Sequence, residues 1–238
     1  MIITENGVKK KAKALAEDFD AAKQGDLNEA DTRARYIDKF LGAFGWAPSD
    51  IRREKHVTTP GGSGYIDYVL VVDDVDQVVV EAKRMNHSFE EKDIEQLAEY
   101  FNASSAHVGI LTNGIEYWFF SWEERRPRMD LRPFARIDLR HLDIARRDNF
   151  LMYLKRSKFD VRRMKWVSHA DFIRWNLYNC LGKRLGDDNS RLAWKVFKAK
   201  FAYYQIDGKP IDRKYVKALF EFTKHHSRYK YFRKISEW

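Results

Sequence analysis

Apolar residues recur along this chain with two periods, one of about 3.6 residues and one of about two, and the changes of period outline the fold. Val8, Ala12, Leu15, Ala16 and Phe19 are spaced for one face of a helix, with good helix formers between them and Gly25 to stop the run. A second helix is expected from an Asn28 cap, with Ala30, Ala34, Ile37, Leu41 and Phe44 as its stripe and Gly45 closing it. From Ile51 the pattern becomes extended: a strand over 51–59, a Pro-Gly-Gly-Ser-Gly turn at 60–64, then two strands within YIDYVLVVDDVDQVVVEAK, residues 65–83. Asp67, Val69 and Val71 share one face of the first of these strands, and Ile66, Tyr68 and Leu70 the other. Val79, Glu81 and Lys83 share a face of the second, opposite Val78, Val80 and Ala82. Both strands are too apolar for a sheet edge, so both are expected at its centre. Ser88-Phe-Glu-Glu91 reads as a capping box opening a helix to about Ser104, with Ile94, Leu97, Ala98 and Phe101 as its buried stripe. Gln96 and Tyr100 lie four apart on the flank of that stripe. Strands over 107–112 and 115–122 flank an Asn113-Gly114 turn, and 137–139 is one more extended piece. This order predicts an α/β sandwich with a mixed sheet.

Beyond about residue 150 the strand signals vanish. Helical spacing is expected over 168–181 from a Ser168 cap, over 190–205, and over 212–223 from an Asp212 cap, joined by turns at 186–189 and 207–210. The expectation is two domains, 1–150 and a smaller all-α domain over 151–238.

Charge sharpens that division. The 238 residues carry a net charge of +9, of which 151–238 holds 22 Lys and Arg against 8 Asp and Glu, a net +14. Residues 1–150 hold 22 against 27, a net −5. A polyanion is the first partner such a basic half suggests. The single cysteine, Cys180, excludes disulfides within the chain and a cysteine zinc site. No apolar run approaches the roughly 20 residues of a membrane helix, and no signal-peptide core opens the sequence, so a cytoplasmic location away from membranes is expected.

Asp67 on one central strand, with Glu81 and Lys83 ending the next, is a minimum kit for metal-assisted phosphodiester hydrolysis. Two carboxylates and the main-chain carbonyl of Ala82 between Glu81 and Lys83 can supply three oxygens to a hard cation such as Mg²⁺, or Mn²⁺ in its place. Lys83, two residues from Glu81, points to the same side, where it can position or help deprotonate a water and stabilise developing charge. Taken alone, Glu-x-Lys says little in so charged a chain. The joint pattern, completed by a capped helix bearing Gln96 and Tyr100, says more.

Asp67…Glu81-Ala82-Lys83 resembles the PD-(D/E)xK nuclease signature, with Gln96-Leu-Ala-Glu-Tyr100 as its QxxxY extension. Within that superfamily the chain resembles the N-terminal nuclease domain of type I restriction enzyme R subunits, over about 25–145. NEADTRARYIDKFLGAFGW is similar to the opening helix, VVVEAKR to the catalytic strand, HVGILTNGIEYWFF to the strands that follow and FARIDLRHL to the closing segment. The resemblance implies a restriction-endonuclease-like sheet flanked by helices. It implies that Asp67 and Glu81 bind Mg²⁺ with help from the Ala82 carbonyl, and that Lys83 is the catalytic lysine. Gln96 and Tyr100 would orient that lysine or contact DNA, and Glu29 would be an accessory acid. Ile66 stands where the signature has proline. No G-x-x-x-x-G-K-[ST] occurs, so no ATP-driven motor is expected, and no methyltransferase motif is evident.

Each feature has a plainer reading. Asp67, Glu81 and Lys83 could be a structural ion network, Gln96 and Tyr100 a solvated flank, and Glu29 a helix-dipole partner. Asp73-Asp74-Val-Asp76 lacks calcium-loop spacing and reads as a turn, His225-His226 as a helix end. None of His56, His87 and His107 is singled out. In the basic half the aromatics Trp166, Phe172, Trp175, Trp194, Phe197, Phe201 and Phe222 follow helical spacing and serve a core. The positive charge at Lys183, Arg184, Arg191, Lys195, Lys198, Lys200, Lys214, Lys217, Arg228, Lys230, Arg233 and Lys234 exceeds what a core explains and suits double-stranded DNA. The expected function is a Mg²⁺-dependent restriction-type endonuclease, a monomer or homodimer, that nicks or breaks foreign or phage DNA. The alternatives are a non-catalytic DNA-binding protein on a nuclease scaffold and an RNA-directed nuclease.

Overall fold

The computed structural model describes residues 5–22, 27–122, 128–142, 148–165, 167–168, 205–206 and 209–210. The chain divides into two compact units, Met1–Lys165 and Trp166–Trp238. The first runs past the expected boundary at 150 because the segment beyond it packs back. The Trp46 indole donates to the Leu154 carbonyl at 2.9 Å, the Arg156 amide to the Phe44 carbonyl at 3.1 Å, and the Phe150 ring meets Phe119 edge-on at 5.2 Å.

Its elements are α1 (Glu5–Ala22), α2 (Glu29–Thr32), a π-helical turn (Arg33–Ile37), α3 (Asp38–Ala43), β1 (Ile51–Thr59), β2 (Gly62–Val72), β3 (Val75–Ala82), α4 (Glu91–Asn102), β4 (Val108–Thr112), β5 (Glu116–Ser121) and β6 (Ala135–Asp138). The six strands form one sheet in sequence order, antiparallel except for the parallel pair β3–β4. That exception has a cause in the chain: α4 is the crossover that returns β4 alongside β3. β2 and β3 are interior strands, as their apolar character predicts.

Alternation along the strands separates two layers. Val69, Val79, Leu111 and Phe120 form one core with Leu97, Ala98 and Phe101 of α4. The neighbouring positions Tyr68 and Tyr117 face the other helical layer. Phe40 of α3 stacks on Tyr117 at 4.0 Å between ring centroids, Asp38 accepts from the Tyr68 hydroxyl at 2.9 Å, and Phe19 of α1 meets Tyr36 edge-on. Each fully buried ring contributes about 1.5–3 kcal/mol.

Local chemistry sets the element ends. Asn28 caps α2 by accepting from the Asp31 amide, and Gly45, at φ +82°, ends the helical run. Three expectations shift. The turn between β1 and β2 is tighter than 60–64, since β2 already starts at Gly62. Helix α4 starts at Glu91, because Asp93, whose carboxylate accepts from the Glu90 amide at 2.8 Å, performs the capping expected of Ser88 and Glu91. Residues 161–165 are helical, with Asp160 accepting from the Arg163 amide at 2.9 Å, and Val167 is helical as well, so Ser168 is not the first helical residue there.

Of the second unit, β7 (Gln205–Ile206) and β8 (Lys209–Pro210) pair antiparallel across the turn expected at 207–210, a short extended piece in a region whose spacing predicts only helices. Beyond Ser168, the helices expected over 168–181, 190–205 and 212–223 lie outside the described residues, except that Gln205, the last residue of the second, is in β7 and not in a helix; the basic residues proposed for DNA lie outside them as well. Among the described residues no helix is long and apolar enough to cross a membrane.

Candidate active site

β2 and β3 stay paired as far as Tyr68 and Val80. The next positions are Asp67 and Glu81, so the two acids stand level where the strands part. β1 adds a third acid to the row: Glu54 falls between the pairs Arg53–Tyr68 and Lys55–Ile66, level with Asp67. The Ala82 amide, beyond the last β2–β3 pair, donates to Asp67 Oδ2 at 2.8 Å.

Each acid has a cation. Arg33 spans two of them, with Nη1 donating to Asp67 Oδ1 at 2.7 Å and Nη2 to Glu54 Oε1 at 3.2 Å. Lys83 donates through Nζ to Glu81 Oε1 and to Gln96 Oε1, both at 2.9 Å, and lies 3.5 Å from Asp93 Oδ1. Its own amide donates to the Thr112 carbonyl, which pins the residue past the end of β3. Gln96 Nε2 donates in turn to the Tyr100 hydroxyl at 3.2 Å. Asp93, buried at the start of α4, lies 2.7 Å from His87 Nε2.

The helix bearing Glu29 and Arg33 is fixed here by close contact. Thr32 is fully buried, donates to the Asn28 carbonyl and accepts from the Met85 amide. A Cβ on Gly114, in the turn after β4, would come within 3.0 Å of Tyr36 on the same helical run, so the turn and the helix touch backbone to side chain.

The electrostatics follow from burial and from crowding of like charge. Burial and the Asp67 charge push the Glu81 carboxyl up to about 7, against the pull of Lys83. Burial also raises Asp67, although the Ala82 amide, Arg33 and Lys83 hold it back. Burial raises the half-buried Glu29, and Asp67 adds to it, which puts Glu29 in the same field as the pair. Burial alone would lower Lys83, yet Glu81, Asp93 and Glu29 outweigh it and keep the ammonium protonated.

The structure thus brings Asp67, Glu81, Lys83, Gln96 and Tyr100 into one connected group, with Glu29 beside it and Ala82 contributing its amide. Among the described residues no three His, Cys, Asp or Glu side chains are clustered to hold a metal ion. The site offers two hard carboxylates, and Glu81 Oε2 is buried without a partner. Such an oxygen is expensive to leave unbonded, and its chemistry suits a hard cation.

The sequence pattern does not single out Arg33, Glu54, Asp93 or His87. Arg33 lies four residues after Glu29 and Asp93 three before Gln96, spacings that share a helix face and could flag both. Nothing in the charged run around Glu54 distinguishes it. His56 packs on Tyr65 and His107 on Trp122.

Residues 28–131 match the family described as the type I restriction enzyme R protein N terminus. The match spans every residue of the group just described and points to a nuclease role. No curated protein and no solved structure matches the chain.

Proposed function

We propose that the protein is a Mg²⁺-dependent DNA endonuclease. The observation that carries this reading is the contact of Lys83 with Glu81 where β2 and β3 part, level with Asp67 and inside the segment similar to the restriction enzyme domain. Asp67 and Glu81 would hold the cation, with the Ala82 carbonyl as a third oxygen. A bound Mg²⁺ supplies Lewis-acid activation of water and screening of the phosphate.

The protein's own part is positioning. Lys83 stays an ammonium among three acids, so it acts as a hydrogen-bond donor that orients the attacking water and stabilises charge developing on the phosphate. Gln96 fixes the ammonium from α4, and Tyr100 fixes Gln96. Hydrolysis adds water across one P–O bond, so one such group cuts one strand. A double-strand break needs two chains or two binding events. The basic 151–238 half would bind the DNA backbone and supply site choice, and the target would be foreign or phage DNA in the cytoplasm.

Supercoiled plasmid and phage DNA incubated with Mg²⁺ or EDTA, followed by end mapping, tests this. Cleavage should need the cation and vanish with Glu81→Ala or Lys83→Ala while DNA binding persists. Cleavage surviving both substitutions would refute it. One observation favours a non-catalytic DNA-binding protein instead: Asp67 is already neutralised by Arg33. Binding without cleavage at any Mg²⁺ concentration would support that reading.

A further inference from the structure

Arg33 is held by more than an ion-pair partner of Asp67 requires. Its fork reaches two carboxylates on different strands, Asp67 at 2.7 Å and Glu54 at 3.2 Å. Glu54 meets it from a φ of +48°, a left-handed backbone in mid-strand that a residue with a side chain adopts only under steric strain. A π-helical turn begins at Arg33 itself, a local widening frequent at functional sites. A cleft of about 250 Å³, lined by Ala30, Arg33, Ala34, Arg53, Glu54 and Asp67, opens beside the guanidinium. The second guanidinium of the cleft, Arg53, is engaged by Asp38 at 2.8 Å and lies over the Tyr68 ring.

We propose that Arg33 is the residue that takes a DNA phosphate at this site, exchanging Asp67 for it when a divalent cation claims the Asp67 oxygen. Glu54 is the anchor that keeps the guanidinium in the cleft during the exchange. A cation held by Asp67 would compete with the guanidinium for the same carboxylate, and a planar fork fits phosphate oxygens in a way an ammonium cannot. The inference rests on the nuclease reading of the site.

The test uses the full chain and two binding measurements, neither of which needs turnover. Mn²⁺ affinity is measured by calorimetry, and affinity for a short DNA duplex is measured in Ca²⁺, which shares the preference for oxygen ligands. Arg33→Gln should bind Mn²⁺ roughly tenfold more tightly and the duplex roughly tenfold more weakly, about 1.4 kcal/mol each way. Arg33→Lys, which keeps the charge but not the fork, should fall between and decides the matter if Arg33→Gln does not fold. Both affinities falling together would make Arg33 a structural strut and overturn the proposal, as would neither changing. If the unsubstituted protein binds no Mn²⁺, or Glu81→Ala leaves that binding intact, the nuclease reading itself fails and takes this inference with it.

Discussion

Asp67 and Glu81 stand level at the point where β2 and β3 part, and each is neutralised by a different cation, Arg33 at 2.7 Å and Lys83 at 2.9 Å. A buried acid and a partly buried one side by side repel, and the repulsion grows as water is excluded from between them. The two basic residues make the arrangement tolerable in the folded chain. It remains strained at Glu81, whose second oxygen has no partner.

That strain should be visible as a pH effect. Glu81 is raised from 4.5 to about 7, so it destabilises the fold as pH rises through that interval, and the cost is complete above it. Glu81→Gln should therefore stabilise the protein by up to about 3 kcal/mol at pH 8, with most of the gain gone at pH 5. Urea unfolding in EDTA at both pH values measures this. Added Mg²⁺ should raise the midpoint of the unsubstituted protein at pH 8 and leave Glu81→Gln where it was.

Gly64 should matter for activity more than for stability. A Cβ there would lie 2.6 Å from the Tyr100 hydroxyl, closer than atoms tolerate. The end of a half-buried ring can swing away, so Gly64→Ala should sit at the low end of overpacking costs, about 1 kcal/mol. The swing breaks the Gln96–Tyr100 hydrogen bond and loosens Lys83. Cleavage should fall about as far as in Tyr100→Phe, and the double variant should fall no further than either single one.

Asp93→Asn separates helix capping from charge. The Asp93 carboxyl is held below its ordinary value: burial opposes this, but the Glu90 amide, His87 and Lys83 outweigh it. A lowered carboxylate stabilises above its unfolded value and loses that contribution as the pH falls. Asp93→Asn should cost about 1 kcal/mol at pH 7, and the deficit should shrink below the ordinary aspartate value of 3.8. Cleavage should survive better than in Glu81→Ala, because Glu81 and Gln96 still hold the ammonium.

At Glu54 two small terms oppose each other. Glycine would relieve the left-handed backbone, worth about 1–2 kcal/mol, and would lose an exposed ion pair worth at most about 1 kcal/mol. Glu54→Gly should be as stable as the unsubstituted protein or better, and Glu54→Ala less stable than either, by thermal unfolding. Equal stability of the Gly and Ala variants would show that the backbone is not left-handed in solution.

The basic half should reveal itself through salt. If Lys195 and Lys198 each neutralise a phosphate, replacing both with Gln should lower the slope of log affinity against log salt by about two. The loss should be similar for unrelated DNA sequences, as backbone contacts carry no base information. An unchanged slope would place the DNA contacts elsewhere.

Much of the first unit is legible in the amino-acid sequence alone. Alternation assigns Tyr68, Val69 and Val79 to their faces, and the Asn28 and Gly45 caps bound a helix correctly, because these signals are local. The start of α4 and the length of the β1–β2 turn escape local reading for the same reason. A capping box at Ser88 and one centred on Glu90 differ by two residues in sequence, and only the buried seat of Asp93 selects between them.

The sequence by itself determined which residue types were available: an acid on one central strand, an acid and a lysine ending the next, a glutamine and a tyrosine one helical turn apart. Strand and helix periods are enough to put those on facing surfaces. The tertiary structure decided their partners. It set Glu54 level with Asp67, swung Arg33 from a helix onto both, and tucked Asp93 and His87 behind Lys83. Those contacts join residues distant in the chain through register and helix docking, which no local pattern encodes.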